Sequence, residues 1–117
     1  MRTMTPPIYH MCSKDEWEAA QISGSYIGSS QDVADGFIHL STGAQIVGSA
    51  AKHRAGQQEL LLLAINPDDL GDALKWEASR GGALFPHLYG PLPMKSVEQV
   101  HDLPLGPDGV HQFPRLD

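Results

Sequence analysis

The stretch Asp35-Gly36-Phe37-Ile38-His39-Leu40-Ser41-Thr42 decides how the rest of the chain is read. Its period is two: Ile38 and Leu40 point one way and Phe37, His39 and Ser41 the other, as on a strand with one face in a core. Thr42 and Gln45 then stand at capping-box spacing, which predicts an immediate turn into a helix. That helix is expected to carry Ile46, Val47, Ala50 and Ala51 on its inner side and to end at Gly56. The same grammar appears upstream. Ile8-Tyr9-His10-Met11-Cys12 reads as a strand running into Ser13-Lys14-Asp15-Glu16, where Ser13 and Glu16 form a second capping box. The helix it opens, Lys14 to Gln21, places Trp17 and Ala20 inward. Gly24, Gly28, Ser29 and Ser30 between the two units read as a long polar loop, able to cover a site.

Downstream, Leu60-Leu61-Leu62-Leu63-Ala64-Ile65 lacks alternation and predicts a central strand covered on both faces. Asn66-Pro67-Asp68-Asp69 is a turn, and Leu74 to Ala78, Phe85 to Gly90 and Val97 to Leu103 are further extended segments. Arg80-Gly81-Gly82 breaks the chain between the first two of these, and Gly109 to Phe113 reads as a final edge piece. Strand, helix, strand, helix and then several strands is an α+β order: two N-terminal helices packed on a mostly antiparallel sheet. Residues 1–117 make one domain, with 1–7 as an N-terminal tail.

Fourteen acidic against eight basic side chains give a net charge of -6, which disfavours general binding to nucleic acid or anionic membrane. The single cysteine, Cys12, has no internal partner, and the apolar runs are too short to span a bilayer, so a cytoplasmic protein is expected.

Chemistry concentrates in the histidines. His10 and His39 each stand near a strand end just before a capped helix, and His87 lies two residues from Tyr89 on an extended segment, so the two share a face. A lone strand-end histidine is ordinarily a hydrogen-bonded structural residue. Three of them from three segments suggest one cleft lined by imidazoles, hydroxyls and aromatic faces. His53, His101 and His111 are expected at the surface or on edges without a role. None of the spacings matches a metal motif, so no metal is expected. Cys12 precedes a helix N-terminus, where a thiol pKa falls, but buried cysteine is also common. Glu77 and Arg80 flank the end of a strand beside two glycines, either as a ligand-binding pair or as a surface ion pair.

Ile8-Tyr9-His10-Met11, Asp35 to Thr42, Trp76-Glu77, Phe85-Pro86-His87-Leu88-Tyr89-Gly90-Pro91-Leu92 and the tail Leu103 to Gly109 together resemble the bacterial family catalogued as domain of unknown function 952. The resemblance covers nearly the whole chain. It implies a fold similar to the ADP-ribosyltransferase superfamily, including the RNA 2'-phosphotransferases, with NAD or a related ribose phosphate bound in a split-sheet cleft. In those enzymes a first-strand histidine in a His-Gly-Thr context holds the ribose; His10 matches it, with Met11 and Cys12 in place of Gly and Thr. His39, Ser41 and Thr42 fall on the second motif, which frames the nicotinamide, and His87 or Glu77 on the third, which polarises ribose or nucleophile. The same resemblance implies stacking by Phe37 or Tyr89 and pyrophosphate pairing by Arg80. ADP-ribosyl transfer is the activity so implied. The alternatives are a non-catalytic small-ligand module that keeps the cleft and, further off, a metal-dependent hydrolase.

Overall fold

A computed structural model describes residues 6–79 and 82–116. The chain runs through β1 (Ile8–Ser13), α1 (Lys14–Ser23), α2 (Ser30–Asp35), β2 (Ile38–His39), β3 (Ser41–Thr42), α3 (Ile46–His53), β4 (Leu60–Ile65), β5 (Leu74–Ala78), β6 (Leu84–Leu88) and β7 (Val97–Asp102). Two antiparallel sheets result, ordered β3-β1-β4-β7 and β2-β6-β5. The α+β reading holds.

The stretch 38–42 is one extended run that changes sheets. Ile38 and His39 pair with Leu88 and His87 of β6, whereas Ser41 and Thr42 pair with Tyr9 and Ile8 of β1. Leu40 is the pivot: its amide donates to the Pro86 carbonyl at 3.1 Å and its side chain is buried. β1 continues to Ser13 along β4, while its pairing with β3 covers only Ile8 and Tyr9. Past Tyr9 the two sheets therefore diverge, and a split opens between β1 and β2.

β4 is buried throughout, as its unbroken apolar run predicts. Alternate residues of β1 and β4 feed two cores. Ile8, Cys12, Leu61, Leu63 and Ile65 meet Trp17, Tyr26, Ile38 and Leu88 on one side. Tyr9, Met11, Leu60, Leu62 and Ala64 meet Ile46, Ala50 and Leu103 on the other. Burying one such leucine stabilises the fold by roughly 2 kcal/mol. The central strand, not the short β2 and β3, therefore anchors the architecture.

Several expectations are corrected. The loop after α1 is largely structured: Tyr26 is buried and bridges Leu92, and Ser29 caps α2 through a capping box with Asp32. There are thus three α-helices among the described residues, not two, and the irregular stretch shortens to residues 24–29. The first box, Ser13 with Glu16, forms as read. The second is only half made: Gln45 accepts from the Thr42 amide, but the helix start has no side-chain cap. Gln45 instead donates to the Leu84 carbonyl, tying α3 to β6. Val47 and Ala51 face outward because only the Ile46–Ala50 stripe meets the sheet, and the helix ends at His53, before Gly56. The terminal edge piece reduces to a single bridge, Leu105 to His111. Among the described residues no helix is long and apolar enough to cross a membrane.

Candidate functional site

A cavity of about 570 Å³ occupies the split. His10 from β1, His39 from β2 and His87 from β6 all line it, as do Asp32 and Ser41, and Arg54 just beyond α3. The three strand-end imidazoles do meet.

Each is held differently. His10 is buried and saturated. Its Nδ1 lies 2.7 Å from the His39 carbonyl, which only accepts, so Nδ1 carries the proton. Nε2, 2.6 Å from the Tyr26 hydroxyl, then accepts from it. Burial lowers the pKa of His10, which keeps the ring neutral and this arrangement intact. His10 thus bolts β1 to β2 across the split.

His39 is half-exposed and faces two carboxylates. Nδ1 is 2.6 Å from Asp32 Oδ1, and Nε2 is 3.1 Å from Asp35 Oδ2. The hydrogen bond to Asp32 outweighs desolvation and raises the His39 pKa.

Asp32 is the hub. Only 3% exposed, it accepts from the Ser29 amide, the His39 amide and His39 Nδ1, and stands 3.6 Å from His10 Nε2. Burial alone would raise its pKa, but the His39 hydrogen bond and the amides of Ser29 and His39 hold it down to about 2.

His87 repeats the imidazole–carboxylate pattern. Its Nδ1 lies 2.8 Å from Glu77 Oε1, and the Tyr89 hydroxyl donates to the same oxygen at 2.8 Å. Those two hydrogen bonds lower the Glu77 pKa, and the carboxylate in turn raises that of Tyr89. Phe37 lies among three rings, with centroids 4.6 Å from His39, 4.3 Å from His87 and 5.2 Å from Tyr89. Ser41 Oγ pairs with Ser49 Oγ at 3.1 Å at the wall.

Phe37, Glu77 and Tyr89 join the cavity only through their contacts with its histidines and one another, and one candidate stands apart. Thr42 lines a separate hollow beside Pro67, Leu74 and Trp76. Arg80 lies outside the described residues; the Glu77 carboxylate is held by His87 and Tyr89. Cys12 is no nucleophile: it is fully buried and its thiol is pushed up to about 12. His53 is exposed, as expected, and also lines the cavity, while His111 is buried with Nε2 donating to the Gln57 carbonyl. Among the described residues no group of three histidines, cysteines or carboxylates is placed to hold a metal ion.

Sequence reasoning missed Asp32, Asp35 and Tyr26. The available signal was Ser29 with Asp32 three residues on, a capping box with the shorter acid.

The chain matches the family model described as "Protein of unknown function (DUF952)" over residues 11–100, and it belongs to that family. It is similar to the crystal structure of protein CC0527 from Caulobacter crescentus, with 54% identity, a TM-score of 0.87 and coverage of 91% of this chain and 93% of that one. The solution NMR structure of the same protein matches with 54% identity and a TM-score of 0.81, covering 91% of each chain. No curated protein matches.

Proposed function

We propose that the split between β1 and β2 is the ligand site of an ADP-ribosyltransferase-like domain that takes NAD or a related ribose phosphate. One observation carries the reading: three imidazoles from distant segments converge on one cavity where the two sheets part. Its volume lies within the range of small-molecule sites. Phe37 and Tyr89 supply aromatic faces for a planar ring. Glu77 orients His87 so that Nε2 is the nitrogen left for proton exchange with an acceptor or a ribose hydroxyl. The carboxylates of Asp35 and Glu77 supply negative charge that favours a ribose turning oxocarbenium-like as the glycosidic bond loosens. His10 works from behind, fixing the spacing of the split.

Isothermal calorimetry with NAD and ADP-ribose tests this. The reading expects saturable binding that His87→Ala weakens at least tenfold. No heat and no protection from melting at millimolar ligand would remove it. Chromatography of the same mixtures for free nicotinamide separates turnover from binding.

One observation favours the non-catalytic module. Both ring nitrogens of His10 are used within the protein, and Met11 puts a side chain where the enzymes resembled have Gly. That reading expects NAD to raise the melting temperature while no nicotinamide is released.

A further inference from the structure

His39 Nδ1 is hydrogen-bonded to Asp32 Oδ1 at 2.6 Å, and Nε2 stands 3.1 Å from Asp35 Oδ2 in an ion-pair contact, so two carboxylates favour the doubly protonated ring. The two carboxylates are not equivalent. Asp32 is buried, closed off by the amides of Ser29 and His39, and cannot leave without stranding a buried charge. Asp35, the last residue of α2, is 37% exposed, and its other contact is the exposed amide of Gln31 at 3.0 Å. An exposed pair of this kind contributes at most about 1 kcal/mol. The charges of the lining match this asymmetry: Asp32 and Asp35 balance His39 and Arg54, and removing Asp35 from His39 leaves one positive charge uncompensated.

We propose that His39 Nε2 is the docking point for a phosphoryl oxygen of the ligand, and that Asp35 is an internal stand-in which the phosphate displaces. The nucleotide reading above is needed only to say where that phosphate comes from. A pyrophosphate, with two negative charges across its two phosphoryl groups, competes well with one exposed carboxylate for a charge-assisted hydrogen bond. The Arg54 guanidinium, bonded through two nitrogens to Gln57 and the Met11 carbonyl, lines the same cavity and adds to its positive field. Asp35 thereby acts as a selectivity filter. Neutral ligands and monoanions leave it in place, whereas a phosphate or pyrophosphate group opens the site.

Inorganic pyrophosphate, ADP-ribose and NAD are titrated separately into the wild type, Asp35→Asn and His39→Gln, following the imidazole signals by NMR. The proposal expects pyrophosphate to move the His39 signals in the wild type. Asp35→Asn should bind it up to about fivefold tighter, and His39→Gln should lose the binding. Equal pyrophosphate affinity in Asp35→Asn and wild type, or stationary His39 signals, overturns the proposal even if NAD binds. Pyrophosphate binding that tightens in Asp35→Asn, with ADP-ribose and NAD no better than pyrophosphate, keeps the anion point and removes the nucleotide reading instead.

Discussion

His39 and His87 face each other across the β2–β6 pairing with ring centroids 5.7 Å apart, each tethered through Nδ1 to a carboxylate from another element. Asp32 reaches one from α2 and Glu77 the other from β5. The two tethers differ in burial, and so do their consequences.

Asp32 links the site to acid stability. Its folded pKa is depressed from 3.8 to about 2, so the stabilisation is full above the unfolded value and is lost as pH falls through the folded one. The loss between pH 5 and pH 2 attributable to this residue is about 2 kcal/mol. Denaturant unfolding across that range should show Asp32→Asn with a flatter pH dependence than the wild type by about this amount, from a lower starting stability.

The three imidazoles should titrate apart. His39 has a raised pKa, so its contribution to stability is complete below 6.5 and disappears as pH climbs through the higher folded value. His10 has a lowered one and stays neutral. NMR titration should give a His39 midpoint above 6.5 and a His10 midpoint below it. Asp32→Asn should bring the His39 midpoint down.

Gly28 makes room for Asp32. Its φ is +100°, and a Cβ there would stand 2.6 Å from the Asp32 Cβ and 2.7 Å from Oδ2. Gly28→Ala is expected to cost about 2 kcal/mol from the left-handed strain and the clash combined. Because the displaced acid is the His39 tether, the variant should also shift the His39 midpoint; a change in melting temperature with that midpoint unmoved would detach the glycine from the site.

Cys12 should be inert in the native protein. With the side chain fully buried and the thiol pushed up to about 12, a thiol reagent at pH 8 should label it only as fast as the chain unfolds. Labelling without denaturant at the rate of a free thiol would contradict the packing of Cys12 in the first core.

What was readable in the sequence follows from range. The Ser13–Glu16 box and the apolar run Leu60 to Ile65 are local signals, and both elements form as they dictate. Placing His10, His39 and His87 on strands needed only period-two counting. The break at Leu40 was not visible, because partners far away in the chain, β1 and β6, pull the two halves of 38–42 into different sheets. Asp32 was hidden for another reason. In the run Ser29-Ser30-Gln31-Asp32 a carboxylate looks solvated, and only the His39 ring and amide, seven residues on, make it a buried ion. His53 is exposed, as its polar neighbours Lys52 and Arg54 suggest, but its place at the cavity was not legible, because the split beside it arises from tertiary structure.

Chemical-shift mapping with NAD on uniformly labelled protein tests the central claim most directly. The account predicts saturable shifts centred on Phe37, His39, His87 and Tyr89, with His39 and His87 moving together. Shifts confined to the hollow beside Trp76, or none at millimolar NAD, would contradict it.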